Sequence, residues 1–268
     1  MLDADRLLVL ADLNLAEAQR EHARFLPPFE IVERDGLLFT AGGTRFPASP
    51  FNGATTAVAE PADAERLLGE ARRFFAARNR GFGVQARAHR DAALISHCEE
   101  HGIPLGGNSP GMVLDAPIPA PPLPSGAELR TVETGSDATR FAEVEAAAFD
   151  ALGLPEAVGR KILSQPRAWL LPHWHVCMAL EEGRPVAGAM VLLSHGIAGI
   201  YWVGTLADAR GRGFGAAVTT AVANAAFERG AEAVVLQASK FGEPVYRRLG
   251  FREFTRYPWF MVLEPSSS

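Results

Sequence analysis

Cysteine is nearly absent from this chain. Its 268 residues contain two, Cys98 and Cys177, far apart and neither in a C-x-x-C pair, which excludes a disulfide framework and a cysteine-based zinc site. Long apolar runs are missing as well: nowhere do the roughly 18 consecutive apolar residues of a membrane span occur. Met1 to Leu26 alternates acids and bases with leucines, without the continuous apolar core of a secretory signal. Excess positive charge is also lacking, since 26 Lys and Arg stand against 31 Asp and Glu, so no global field attracts nucleic acid or an anionic membrane. His173 and His175 come without the carboxylate or cysteine pattern of a metal site, and no metal is expected. The expected address is the cytoplasm.

What is present is an alternation of strand and helix patterns long enough for two domains. Leu7, Leu8, Leu10, Ala11, Leu15 and Ala18 fall on one side of a helix over Asp5–Arg24, a face expected to dock on the protein itself. Phe29–Glu33 and Gly36–Thr40 flank an Asp35-Gly36 hairpin signal. Strands near Ala54–Ala59, Phe82–Ala86 and Met112–Leu114 alternate with helices from Pro61 or Ala62 to Ala77 and near Asp91–His101. Asp115–Gly126 carries five prolines and reads as a linker, dividing the chain into 1–115, 116–126 and 127–268. Beyond it come a strand at Glu128–Val132, a helix capped by Ser136 and Asp137, and a short helix over Pro155–Leu163. Three strands follow at His175–Leu180, Pro185–Leu193 and Ile197–Val203. The fold class is α/β with mixed sheets.

The last of these strands runs into Arg210-Gly211-Arg212-Gly213-Phe214-Gly215, and small apolar residues at helical spacing continue from Ala216. Alternating glycines at a helix start let the backbone turn tightly and direct unpaired N–H groups, with the positive end of the helix dipole, at one point. Such a place binds phosphate. A P-loop would need Lys and Ser or Thr after the last glycine, where Ala216 and Ala217 stand. The dinucleotide fingerprint fits Gly211, Gly213 and Ala216, but the next strand, Ala233–Ala238, ends in Ser239 rather than in the acid that would hold a ribose.

A third pattern, Arg-x-x-Gly-x-Gly through Arg210, Gly213 and Gly215, resembles the pyrophosphate-binding signature of the GNAT acetyltransferase superfamily. Leu236-Gln237-Ala238-Ser239, then Pro244-Val245-Tyr246-Arg247-Arg248-Leu249-Gly250-Phe251, resembles the second half of that signature in order and spacing. An isolated tyrosine would read as a half-buried residue beside Leu249. Its place one turn before the Gly250 C-cap and downstream of a phosphate loop favours function. The resemblance covers roughly residues 127–264 and implies acetyl-CoA as co-substrate and a small amine as acceptor. It implies that backbone N–H groups near Trp202, Val203, Gly204 and Thr205 receive the pantetheine and thioester, and that Arg210, Gly211, Arg212, Gly213, Phe214, Gly215 and Ala216 cradle the pyrophosphate. Tyr246 is implied as proton donor to the leaving thiolate, and Ser239 stands where many relatives have Asn. The base is left open among Glu143, Glu145, His173, His175 and His195, while Trp169, Trp174, Trp202, Tyr257 and Trp259 are either acceptor-pocket walls or core.

The front half reads as a worn copy of the back. Val84-Gln85-Ala86 parallels Leu236-Gln237-Ala238, Gly102 parallels Gly250, and Met112–Asp115 parallels Met261–Glu264. Where the back has its glycine loop, the front has Glu60, Pro61, Asp63 and Glu65, which would repel a pyrophosphate, and Cys98 stands in place of a tyrosine. Two tandem GNAT-like domains with one cofactor site are therefore expected, the front one packed sheet to sheet on the back or shaping the acceptor cleft. The alternative to an N-acetyltransferase is a CoA-binding sensor or scaffold that has lost turnover.

Overall fold

The computed structural model describes residues 2–47, 51–151 and 153–263. Helix α1 (Ala4–Arg24) opens where the Asp3 side chain accepts the Arg6 N–H at 2.8 Å, satisfying one of the unpaired donors of a helix start. Strands β1 (Glu30–Arg34) and β2 (Leu37–Ala41) turn on Asp35 and Gly36, both at the positive φ that a two-residue hairpin requires. The front half continues through β3 (Asn52–Thr56), α2 (Ala64–Ala76), β4 (Phe82–Gln85), α3 (Ala92–Glu100) and β5 (Leu105–Leu114). β3 ends earlier than the pattern over Ala54–Ala59 suggests, and β5 begins seven residues before Met112.

The back half follows the expected order as β6 (Ala127–Thr131), α4 (Gly135–Asp150), α5 (Glu156–Ile162), β7 (Trp174–Glu181), β8 (Arg184–Ser194) and β9 (Ile197–Thr205). Then come α6 (Phe214–Glu228), β10 (Val234–Gln237), α7 (Glu243–Arg248) and β11 (Arg252–Val262). The cap of α4 is Thr134 and not Ser136 or Asp137; its hydroxyl accepts the Asp137 N–H at 3.1 Å. Glu264, the expected counterpart of Asp115, lies outside the described residues.

All eleven strands form one sheet in the order β1-β2-β3-β4-β11-β5-β10-β9-β8-β7-β6. The two halves exchange their last strands: β5 pairs antiparallel with β10 of the back half, and β11 pairs antiparallel with β4 of the front. β5 and β11 also pair with each other, so the sheet is continuous across the junction. The expectation of sheet packed on sheet is thus corrected to halves joined edge to edge. Each half's open edge is covered by the other's last strand, which removes two unpaired rows of N–H and C=O groups. The junction also explains the length of β5. A Cβ at Gly106 or Gly107 would collide with the Trp259 ring, and one at Gly111 with Tyr257. Here glycines admit the aromatic rings of β11 rather than make a turn.

On one face α1 crosses the junction, packing on Leu38 of β2 and, through Leu7 and Ala11, on Val113 of β5 and Val235 of β10. α4 and α5 cover the same face of the back half, while α2 and α3 in front and α6 behind cover the other. Two buried polar groups of α1, Asp12 and Asn14, are paired across the junction, as low dielectric demands. Asp12 accepts from the Tyr257 hydroxyl at 3.0 Å and faces His89 Nε2 at 3.1 Å and Arg87 Nη1 at 3.4 Å. Asn14 accepts from the Tyr201 hydroxyl at 2.9 Å and donates to Ser194 Oγ at 2.8 Å.

Candidate active site

Parallel strands β9 and β10 pair only over Ala198–Ile200 and Val234–Leu236, while β9 runs on to Thr205. Beyond Ile200 the two strands part. At the parting point Trp202 has φ +49°, and the register against β8 shifts between Met190, opposite Tyr201, and Gly188, opposite Gly204. The bulge breaks the alternation of faces, so that Tyr201 reaches Asn14 and Trp202 packs on Phe149, Phe51 and His22 on the same face. A positive φ in a bulky residue is costly and marks a place where backbone groups are re-aimed.

The parted strands enclose a cavity of about 560 Å³, within the range of small-molecule sites. Val203, Gly204 and Thr205 form one wall, and Gly211, Gly213, Phe214, Gly215 and Ala216 form the end. Ser239 and Tyr246 lie opposite. Gly213 is the N-cap of α6 at φ +92° and, having no side chain, leaves the first-turn N–H groups uncapped toward the cavity. With fifteen residues of aligned peptide dipoles behind it, this end attracts an anion.

Tyr246 is buried, with room made by Gly242, where a Cβ would stand 2.7 Å from its ring. Its hydroxyl makes no hydrogen bond among the described residues, and burial together with the charge of Glu145 raises its pKa well above the ordinary phenol value. It is held protonated. Ser239 closes the turn into α7, its Oγ accepting the Gly242 N–H at 3.1 Å.

Two of the expected phosphate ligands are already engaged. Arg210 donates to Thr205 O at 3.1 Å and to Ala148 O at 3.2 Å, tying the loop to the ends of β9 and α4. Arg212 pairs with Glu181 and stacks over Phe214, and neither it nor the Trp202 side chain lines the cavity. Cavity residues that sequence reasoning missed are Ala148, Ala151, Ala209, Phe241, Gly242, Val245, Arg248 and Leu249. Val245 and Leu249 could have been read from their helical spacing about Tyr246; the alanines carry no sequence signal.

Of the candidate bases, Glu143 is exposed, and His195 sits in the exposed turn before β9, at the opposite end from the cavity. His173 and His175 are at that far end too, where Trp174 pairs with Leu192, and His173 Nε2 lies 2.9 Å from Glu21 Oε2. Glu145 alone approaches the cavity wall. It is fully buried beneath β8 and β9, where a Cβ at Gly188 would come within 2.7 Å of its Oε1 and one at Gly204 would overlap Oε2. Trp169, Trp174 and Trp202 are core, packed with Phe25, Phe141 and His22. Among the described residues no cluster of His, Cys, Asp and Glu could hold a metal, and no helix is long and apolar enough to cross a membrane.

Residues 143–251 match the profile of the Acetyltransferase (GNAT) family. The match spans less than half of the chain. The whole chain is similar to a solved GCN5-related N-acetyltransferase from Kribbella flavida, at 20% identity and TM-score 0.72, covering 93% of this chain and 95% of that one. A GCN5-related N-acetyltransferase from Sphaerobacter thermophilus aligns at 20% identity and TM-score 0.65 over 96% and 94% of the two chains. A tandem GNAT protein from the clavulanic acid biosynthesis pathway aligns over 100% and 98% at 15% identity and TM-score 0.58. These likenesses establish the fold as tandem GNAT. No match is found among curated proteins.

Proposed function

We propose that the back half transfers an acetyl group from acetyl-CoA to the amine of a small molecule by direct attack in a ternary complex. The observation that carries this reading is the uncapped N-terminus of α6 opening on the cavity between β9 and β10, with Tyr246 in its wall. The residues present suit the cofactor. The exposed N–H groups of the Gly211–Ala216 turn would hold the diphosphate, and the β9 edge left free beyond Ile200 offers peptide groups to an amide-bearing arm. When bound, the thioester supplies an activated acyl carbon. Donors at the Trp202 bulge meet charge developing on its oxygen, and Tyr246, kept protonated, gives its proton to the departing sulfur. A small acceptor is favoured because α1 and Phe51 of the front half cover the face where Trp202 lies.

The reading is tested by following thiol release from acetyl-CoA across a panel of small amines. Acceptor-dependent release supports it; tight CoA binding with no release from any amine would favour the sensor reading.

A further inference from the structure

Glu145 is a carboxylate that the fold itself leaves unsatisfied. It is 0% exposed, and neither Oε1 nor Oε2 has a hydrogen-bond partner among the described residues. Burying a carboxyl without partners is costly, and a group with a purely structural role is ordinarily paired. A buried carboxylate of the seam differs: Asp12 has Tyr257, His89 and Arg87 around it. The space Glu145 fills exists only because two strands carry glycine opposite it. Any side chain at Gly188 or Gly204 would expel it. Gly204 is part of the cavity wall, Ala148 one turn further along α4 is another part, and Tyr246 lines the same cavity.

We propose that Glu145 is the general base of the reaction, receiving the proton that the acceptor amine gives up. This rests on the acyltransferase reading above and adds the residue that reading lacks. The amine nitrogen forms the new C–N bond to the thioester carbon as the C–S bond breaks. Its surplus proton passes to the Glu145 carboxylate, while the Tyr246 phenol proton goes to sulfur. The site resets when the proton on Glu145 returns, through solvent, to the Tyr246 phenolate. Burial raises the Glu145 pKa well above the ordinary carboxylate value, and proximity of the Gly204 amide opposes this in smaller measure. A carboxylate whose pKa is raised is a stronger base than an ordinary one. Few charged groups face it. β8 and β9 present Gly188 and Gly204, α4 presents Phe141 and Ala148, α7 presents Tyr246, and the cation on that side, Arg210, is bound to the Ala148 and Thr205 carbonyls. His22 is the competing base, since burial lowers its pKa to about 4 and keeps it neutral, but its Nδ1 is held 2.5 Å from Ala18 O within the aromatic core.

The test is Glu145→Gln, which keeps shape and removes the titrating group. With an accepted amine, kcat is expected to fall about 100-fold, the lower end for general base catalysis, with the acidic limb of the kcat–pH profile lost and acetyl-CoA affinity unchanged. A readout without substrates accompanies it. The folded parent holds a proton on Glu145 that the unfolded chain releases above about pH 4.3, so its stability falls as pH rises from there to the folded-state pKa, by up to about tenfold in the folding equilibrium per pH unit. Glu145→Gln is expected to flatten that slope. Full kcat with the limb intact in Glu145→Gln, or loss of the limb in His22→Gln instead, overturns the proposal. Weakened acetyl-CoA binding with unchanged kcat also overturns it, since Glu145 would then pair with the cofactor. No turnover by the parent with any amine refutes the functional reading itself and is seen before the variant is made.

Discussion

Gly213 allows the proposed phosphate cradle to be perturbed without disturbing the packing around it. Its φ of +92° is strained for any other residue, yet a Cβ built there meets nothing within 4 Å. Gly213→Ala therefore adds backbone strain alone, about 1–2 kcal/mol, or a few degrees in Tm at about 2–4 °C per kcal/mol. Gly213→Glu carries the same strain and places a carboxylate at the mouth of the α6 N-terminus. At about 5 Å and an effective dielectric of about 40, each like-charge pair costs about 1.7 kcal/mol, so two phosphates give about 3 kcal/mol. That corresponds to roughly a 100- to 300-fold rise in Kd between the Ala and Glu variants. Calorimetric titration of both variants with acetyl-CoA measures it, with S-acetyl-pantetheine, which has no phosphate, as the control whose affinity the charge leaves alone. The gap should shrink as salt is raised. Equal acetyl-CoA affinity in the two variants would refute the placement of the diphosphate at this turn.

Tyr246→Phe keeps the ring that packs on Phe251 and removes only a hydroxyl without a protein partner; kcat should fall about 10²-fold while acetyl-CoA affinity stays near the parent's, and an undiminished kcat would make Tyr246 a packing residue. Asp12→Ala removes the acceptor shared by Tyr257, His89 and Arg87 at the seam between the halves. Because Asp91 still holds Arg87 at 2.8 Å, the loss in denaturant unfolding should be near the lower end of the 3–5 kcal/mol expected for breaking a buried pair. A change below about 1 kcal/mol would mean that the network does not bind the halves together.

The strands, helices and glycine loop of the back half were legible because periodicity and turn chemistry are local, and their boundaries fall within a few residues of those observed. The exchange of β5 and β11 was not. A strand's own pattern fits equally well beside either neighbour, and the Gly- and Pro-rich start of β5 imitates a loop until Trp259 and Tyr257 lie over it. Gly213, Gly215 and Tyr246, which the motif singled out, line one cavity, because their placement depends on local geometry. Sequence does not reveal that Arg210, which lines the cavity, also ties down the ends of β9 and α4, or that Arg212 pairs with Glu181. Histidines drew attention by residue type, yet the topology puts His173, His175 and His195 at the end of the sheet away from the cavity. Glu145 stood among the candidates with nothing to distinguish it. Its mark lies in Gly188 and Gly204, on two other elements, and only the folded chain brings the three together.

The central claim is that one acyl-CoA site exists, in the back half, and that the front half serves as a structural partner. The front counterpart of the loop starts α2 at Asp63, whose carboxylate accepts the Arg66 N–H at 3.0 Å and so occupies the helix end that α6 leaves open. Calorimetric titration of the intact protein with acetyl-CoA tests this most directly: a stoichiometry of one is predicted, and a stoichiometry of two, or no binding at all, would contradict it.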